Sequence, residues 1–258
     1  MSFKRLSILA AFSVFFLYAV LIASLLYFYR EGFFIRTLLS ERTLFSVKLS
    51  LYTATIATAI SVAVAIPSAY ALSRFQFKGK RTIDTILELP MIVSPAALGA
   101  MLLIFFNNPI GIWIQKTTVQ FVFVVNGIIL AQFVTTAGIA TRLMKSVLDE
   151  IPTRYEEVAR SLGATPAKAF ITITLPLSRN GIVAAAILSW AKALGEFGAS
   201  ITIAGSMAMK TETIPIAIFM RLASADIEGT VALILILAVI GLGTLYVARL
   251  LKGKMSRA

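Results

Sequence analysis

Six long apolar segments dominate this chain of 258 residues, and each carries few charged side chains. A helix needs about 20 apolar residues to cross the hydrocarbon core of a bilayer. Inside that core, only a helix or a closed barrel satisfies its own backbone hydrogen bonds. The segments therefore predict an all-α integral membrane protein, a single transmembrane domain over residues 1–258. Its six transmembrane helices are predicted at about residues 6–29, 49–73, 87–106, 118–142, 181–204 and 229–250.

Composition excludes several other classes of protein. Hydrophobic residues make up 59% of the chain, charged residues only 14%, and the mean hydropathy is +0.90, so the chain is far more apolar than a soluble domain. It has no Cys and no His, which removes disulfides, thiolate and imidazole metal ligands, and every catalytic triad that needs a His. Gly79 and Lys80 lack the frame of a phosphate-binding loop. We therefore predict no catalytic residue, metal site or nucleotide site in this chain.

Positive charge is divided unevenly between the two sides that six spans create. With the N terminus inside, the cytoplasm receives sixteen of the 24 Lys and Arg residues and the other side seven, while Lys192 lies within a span. This bias satisfies the positive-inside rule and predicts both termini in the cytoplasm. The net charge of +12 is spread over loops, where anionic lipid headgroups attract it. It is not gathered on one soluble face, as it is in nucleic-acid-binding proteins, so the predicted partner is the lipid bilayer and no nucleic acid.

A polar interruption separates the fourth and fifth segments and predicts a cytoplasmic loop over about residues 143–179. Pro152 suits the first turn of a helix, and Gly163 suits the left-handed position just past a helix end. Between them, four apolar residues recur at helical spacing and share one face, namely Tyr155, Val158, Ala159 and Leu162. Glu156 and Arg160 lie on the opposite side, four residues apart and of opposite charge, which gives modest local support.

A second short helix is predicted after Pro166, with Ala169, Phe170 and Ile173 on one side, and Leu175-Pro176 is expected to close the loop. Two short helices hinged at a glycine would form a compact protrusion that a groove in a partner protein can hold. The alternative is an ordinary interfacial helix that lies flat on the membrane with its apolar face among the headgroups. Composition alone does not separate the two interpretations.

The spacing within this loop resembles a known motif. Glu157-Val158-Ala159 is followed by Gly163 and, after nine residues, by Ile173-x-Leu175-Pro176, which is similar to the EAA loop of ABC importer permeases with Val158 in place of the first Ala. Two further stretches resemble the subgroup of these permeases that moves molybdate, tungstate and sulfate. They are Ser50-Leu51-Tyr52-Thr53-Ala54 and Leu194-Gly195-Glu196-Phe197-Gly198-Ala199.

The resemblance implies a function, a set of partners and a location in the plasma (inner) membrane. The chain would pair with a second copy of itself and form a path for a tetrahedral oxyanion, with molybdate or tungstate favoured and sulfate next. Two separate ATP-binding cassette subunits would carry ATP and Mg, so that this chain holds no cofactor, and an external or periplasmic binding protein would deliver the anion. The alternative is a secondary transporter or channel without an ATPase, but the chain has no convincing internal repeat of the kind such proteins use.

The resemblance also assigns residues to the contact with the ATPase. These are Tyr155, Glu156, Glu157, Val158, Ala159, Arg160, Leu162, Gly163 and Ala164.

Two charged residues interrupt the fifth segment. Lys192 and Glu196 are four apart and thus share one helix face, near the middle of a segment where a lone charge costs at least about 2.5 to 3.5 kcal/mol. Each is therefore expected to face the bundle interior. The favoured interpretation is an ion pair that holds this span against its neighbours or organises the contact between two copies. In the other interpretation, Lys192 attracts the oxyanion and Glu196 tunes it.

Overall fold

A computed structural model describes residues 3–29 and 31–255. The described chain is built from helices, and a 3-10 turn at Leu26–Phe28 and a π-helical turn at Phe170–Thr174 extend two of them. In chain order the helices are α1 (Phe3–Leu25), α2 (Glu31–Leu38), α3 (Glu41–Arg74), α4 (Lys80–Ile86), α5 (Leu89–Ile92), α6 (Pro95–Phe106), α7 (Pro109–Thr117), α8 (Val125–Asp149), α9 (Arg154–Ser161), α10 (Pro166–Ala169), α11 (Leu175–Leu194), α12 (Gly198–Ala204), α13 (Ile214–Ala223) and α14 (Ile227–Met255).

Five helical segments within the described residues are long and apolar enough to cross a membrane, and a sixth crossing is counted if one sharply bent pair forms a single span. The five are Phe3–Phe28, Glu41–Arg74, Val125–Asp149, Pro166–Leu194 and Ile227–Tyr246. The all-helical membrane architecture predicted from the apolar segments agrees with this arrangement.

α3 and α8 form the centre of the bundle and run in the same direction. Near their N-terminal ends, Leu49 and Ile128 belong to one buried cluster, and towards their C-terminal ends Ala65 and Ala140 belong to another. Small residues let helices approach closely where lipid provides no hydrophobic force between them. Because the two helices are parallel, the chain between them must return across the full thickness of the bundle.

That return passage, over the predicted third span at 87–106, is a broken helix and not one continuous helix. Two helical segments, Lys80–Ile92 and α6, meet at an angle of 112°. Pro95 begins α6, and a residue that precedes a proline is disfavoured in the helical region. Ser94 is accordingly extended, and its hydroxyl caps the first turn of α6. With 12 residues, α6 covers only about 18 Å, so flanking helices must complete the passage.

The close contact between α6 and α12 gives a first prediction. A Cβ atom placed on Gly99 would lie 2.7 Å from both the Cα and the carbonyl oxygen of Ala199. We expect Gly99→Val to lower the free energy of unfolding by about 1–3 kcal/mol, because overpacking forces the helices apart. Thermal unfolding in detergent measures this, with Ala97→Val at an exposed position of α6 as the matched control. Equal unfolding temperatures for the two variants would contradict the close approach.

The helix is interrupted inside the predicted fifth span, 181–204, because α11 ends at Leu194 and α12 begins at Gly198. Side chains compensate for the break. The Glu196 Oε1 atom accepts a hydrogen bond from the Ala199 N–H at 2.9 Å, and the Gln132 Nε2 group donates to the Ala193 carbonyl oxygen at 3.0 Å. Backbone groups that lose their helical hydrogen bonds inside a membrane need other partners. Because side chains supply these partners, the interruption is a stable part of the fold.

The predicted two-helix loop at 143–179 is shorter, and its second helix is not separate. α8 continues to Asp149, and from Pro166 to Leu194 the chain is one continuous helical segment. Pro176 therefore does not close the loop. The π-helical turn ends at Thr174, two residues before this proline, and a wider turn there accommodates the missing N–H and the ring. Between the two long segments lie residues 150–165, and the helix there is α9.

Candidate functional site

α9 ends in a tight hydrogen-bonded turn that fixes the direction of the following chain. The Ala164 N–H donates to the Ala159 carbonyl oxygen and the Gly163 N–H donates to the Arg160 carbonyl oxygen, both at 3.0 Å, which is the Schellman arrangement. Gly163 has φ +89°, the left-handed conformation expected for it from the sequence. Side chains with a Cβ atom rarely adopt this conformation, so the turn depends on the glycine.

One face of α9 is apolar and exposed. Tyr155, Val158 and Leu162 all expose large parts of their side chains, and Leu162 is 84% accessible. Glu157 and Arg160 are also exposed. We call Tyr155, Val158 and Leu162 the apolar face of α9. An amphipathic helix that leaves such a face uncovered is typical of a protein–protein contact.

The opposite side of α9 is held by Glu156, and the expected pairing of Glu156 with Arg160 is wrong. Glu156 is buried, and its carboxylate accepts three hydrogen bonds from other elements. The Arg74 Nε and the Thr174 hydroxyl donate to Oε1 at 2.9 Å and 2.6 Å, and the Tyr70 hydroxyl donates to Oε2 at 2.8 Å. Helix geometry places Arg160 near Glu156, but the buried partners offer charge-assisted bonds out of water, which are stronger than an exposed pair.

The same partners connect α9 to two long helices. The Arg74 Nη2 group also donates to the Ile151 carbonyl oxygen at 2.8 Å, and the Tyr70 ring lies 4.5 Å from the ring of Phe170 in the π-helical turn. We call Glu156, Tyr70, Arg74 and Thr174 the Glu156 anchor. Through it, α9 is fixed to the C-terminal end of α3 and to the beginning of the segment that leads into α11.

The protonation of Glu156 follows from these contacts. Burial by itself acts to raise the pKa of this carboxyl, but hydrogen bonds from Thr174, Tyr70 and Arg74 and the charge of Arg74 outweigh burial, and the pKa lies below its usual 4.5. Hydrogen bonds to the charged form have this effect in general. At neutral pH the anchor therefore contains an ionised carboxylate.

The second pair of predicted site residues lies at the break between α11 and α12. The Lys192 Nζ atom is 3.5 Å from the Glu196 Oε2 atom. The two side chains differ in accessibility, since Lys192 is 42% exposed and Glu196 only 1%. They are brought together as the spacing predicted, but at a helix end and not in the middle of a continuous span.

A family model described as "Binding-protein-dependent transport system inner membrane component" matches residues 61–257. The chain belongs to this family. It is a membrane permease of an ABC importer and a multi-pass protein of the inner membrane, as the resemblance of the loop at 143–179 implied. In this family the permease is not an enzyme, and the hydrolysis of ATP is a task of a partner subunit.

Curated relatives of the permease are named for the transport of sulfate and of molybdenum. It is 29% identical to the sulfate transport system permease CysW of a Synechocystis species, over 97% of this chain and 94% of that one. It is 34% identical to the molybdenum transport system permease ModB of Haemophilus influenzae, over 76% of this chain and 86% of that one. The sulfate transport system permease CysT of Escherichia coli is 32% identical over 81% of this chain and 76% of its own length.

Solved structures share the fold of the permease. A bacterial ABC transporter that imports the acidic polysaccharide alginate superimposes with a TM-score of 0.79 and 19% identity, over 98% of this chain and 94% of that one. An inward-facing methionine ABC transporter superimposes with a TM-score of 0.62 and 18% identity, over 84% of this chain and 99% of that one. Among the residues that the structure describes here, no cluster of three or more Asp or Glu residues is arranged to hold a metal ion.

Proposed function

We propose that this permease forms the translocation path of an ATP-driven importer for a tetrahedral oxyanion. Two copies of the chain would surround the path, two ATP-binding subunits would bind at α9, and an external binding protein would deliver the anion. Movement of the ATP-binding subunits would alternate the path between inward and outward openings. The observation that carries the proposal is α9 itself, a helix with an uncovered apolar face on one side and the Glu156 anchor on the other.

The arrangement of α9 supports a docking function in preference to a helix resting on lipid. A membrane-surface helix needs only an apolar face directed at the bilayer. α9 is instead fixed through its polar side to the ends of the membrane helices, because Glu156 bonds to Tyr70 and Arg74 of α3. The apolar face of α9 is consequently left for another protein. A rigid helix that is gripped by a partner can transmit the movement of that partner to α3 and α11.

The assignment of an oxyanion as the substrate is supported by the relatives and by the sequence. Three matched relatives, each covered over about three quarters or more of its own length, are permeases of sulfate and molybdenum transport systems, and two stretches of the chain resemble the same subgroup. The positive-inside bias of the loops supports a cytoplasmic α9 with both termini on the same side. Measuring which anion the cognate binding protein holds, by calorimetry with sulfate, molybdate and tungstate, tests this assignment. Binding of none of the three would contradict the proposed substrate class.

The end of the bundle opposite α9 is suited to receive a binding protein, since its connections are fixed. Glu212 is buried, and its two oxygens accept hydrogen bonds from the Arg42 Nε and Nη2 groups at 2.7 Å and 2.6 Å. A bidentate pair of this kind adds geometric specificity as well as energy. It ties the connection between α12 and α13 to the start of α3, so that a delivered anion would meet a defined entrance.

The glycine at the end of α9 gives a second prediction. Gly163→Val should weaken coupling, because a β-branched side chain at φ +89° is strained by about 1–2 kcal/mol and would redirect the chain after α9. Gly163→Asn is the matched control, since Asn tolerates the left-handed conformation better than other residues with a Cβ atom. Anion uptake per ATP hydrolysed, measured in proteoliposomes, should fall for the Val variant and remain high for the Asn variant. Equal coupling ratios would count against a positioned α9.

A further inference from the structure

Lys192 is an accessible cation at membrane depth. The Trp190 indole N–H donates to the Thr55 hydroxyl at 3.1 Å, which fixes the level of this part of α11 against α3. Thr55 lies about 10 Å along α3 from Lys48, the nearest charged residue on that side, and about 28 Å from Arg74, so it lies within the apolar stretch of a helix that crosses a core about 30 Å thick. Lys192 is therefore at a level where the surroundings of the bundle are hydrocarbon.

An exposed ammonium at this level must have something other than lipid next to it. Charged side chains within membrane spans face the interior of an assembly or a water-filled cavity, because contact with hydrocarbon is strongly unfavourable. The face of α11 that carries Lys192 is only partly covered by this chain, since Lys192 remains 42% exposed. In the assembled transporter, that face must border either the translocation path or the second copy.

The carboxylate beside Lys192 is buried and hydrogen-bonded, whereas the ammonium is partly exposed. The Glu196 Oε1 atom accepts from the Ala199 N–H at 2.9 Å. The Oε2 atom is buried and has no hydrogen-bond partner in the described part of the chain, although it lies 3.5 Å from the Lys192 Nζ atom. That distance is an ion pair and not a close hydrogen bond. A long lysine stem can therefore turn its ammonium from Glu196 towards a ligand while Glu196 remains in place.

We propose that the Lys192 ammonium is the cationic contact for a tetrahedral oxyanion inside the translocation path, with Glu196 as its counter-ion when the path is empty. The inference rests on the proposed function. A lysine ammonium is a compact charge with three donors, which suits the oxygens of a small dianion. Glu196 competes with the anion for the same cation, so the contact is weak and the substrate is released. Such a site attracts the anion without trapping it.

The absence of cysteine from the chain makes the site directly testable in the complete transporter with its ATP-binding subunits and binding protein. Lys192→Cys introduces a single thiol into the permease, and Leu242→Cys, exposed on the apolar surface of α14, is the matched control. In nanodiscs, the negatively charged sulfonatoethyl methanethiosulfonate should modify position 192 and not position 242, as measured by mass spectrometry of the permease. Saturating sulfate or molybdate should slow the modification at 192.

Uptake and assembly measurements on Lys192 variants distinguish a contact with the anion from a contact between the two copies. In proteoliposomes, Lys192→Gln should reduce ATP-driven uptake of radiolabelled sulfate or molybdate by about tenfold or more, the loss expected for one charge-assisted contact. Lys192→Arg should retain most of the uptake, and native mass spectrometry should find both variants assembled. Lys116→Gln, at an exposed lysine in the last turn of α7, should leave uptake unchanged.

Besides normal uptake by Lys192→Gln, three results would overturn the assignment of Lys192. They are an unreactive thiol at position 192, modification that neither anion slows, and loss of assembly in Lys192→Gln, which would place the side chain between copies. If the wild-type transporter moves none of sulfate, molybdate and tungstate, the proposed substrate class is wrong, and the proposed contact with Lys192 is wrong with it. Wild-type uptake combined with normal uptake by Lys192→Gln would reject only the lysine contact.

Discussion

Val158→Asp is expected to separate the permease from its ATP-binding partner. Val158 lies at the centre of the apolar face of α9, one turn from both Tyr155 and Leu162, and is 60% exposed. A carboxylate placed in the centre of an apolar interface is buried without a partner, and the loss at such a position is about 2 kcal/mol or more, about thirtyfold in affinity. Retention of the ATP-binding subunit on the affinity-purified permease measures this effect.

A matched control distinguishes a lost interface from a general effect of charge. Val119→Asp makes the same change at an exposed residue that precedes α8, at the end of the bundle away from α9. We expect Val119→Asp to retain the ATP-binding subunit and Val158→Asp to lose it, with both permeases equally folded in detergent. Equal retention by the two variants would show that the apolar face of α9 does not contact the ATPase.

Glu156→Ala should cost the permease about 3–5 kcal/mol of stability. The substitution leaves Arg74, whose side chain is only 7% exposed, as a buried charge without its carboxylate partner, and it removes the acceptor of the Tyr70 and Thr174 hydroxyls. Glu157→Ala, at the exposed neighbouring carboxylate, is the control for stability and should change the unfolding temperature little. The double variant Glu156→Ala, Arg74→Ala should cost less than the sum of the single variants, because their residues interact directly.

The Glu156 carboxylate also makes the stability of the permease depend on pH, and the direction follows from its lowered pKa. Because the pKa of Glu156 is lowered in the folded chain from its usual 4.5, the carboxylate contributes stability that is complete above that value and is lost as pH falls through the lowered pKa. Glu156→Gln should therefore remove a part of the acid sensitivity below pH 4.5. Unfolding curves of wild type and Glu156→Gln that lose stability in parallel on acidification would contradict an ionised anchor.

Helices were more predictable from this sequence than the contacts between them. Uncharged stretches and the positions of Pro152 and Gly163 are local signals, and they indicated the membrane helices and the end of α9. The partners of Glu156 are not local, since Tyr70 and Arg74 are separated from it by 86 and 82 residues. The sequence offered Arg160, four positions away, as the one charged partner for Glu156. In the structure, Glu156 instead makes the stronger buried hydrogen bonds. No pattern in the sequence could have identified Tyr70, Arg74 and Thr174 as its partners.

The two interrupted spans were missed for a related reason. The apolar run at 87–106 contains Pro90 and Pro95, but hydropathy does not report the angle of 112° between the two helical segments. In the fifth span, Glu196 was treated as a charge that needs a counter-ion. Its larger structural task is to cap α12 through the Ala199 N–H, which only the three-dimensional arrangement reveals.

The most direct test of the central claim is anion uptake by the reconstituted permease with its ATP-binding subunit and binding protein. Proteoliposomes should accumulate sulfate or molybdate when ATP and Mg are supplied on the side that carries α9, and Val158→Asp should abolish that accumulation. An imposed ion gradient without ATP should drive no uptake. Uptake that needs only an ion gradient, and that persists when the ATP-binding subunit is omitted, would contradict an ATP-driven importer and identify a secondary transporter.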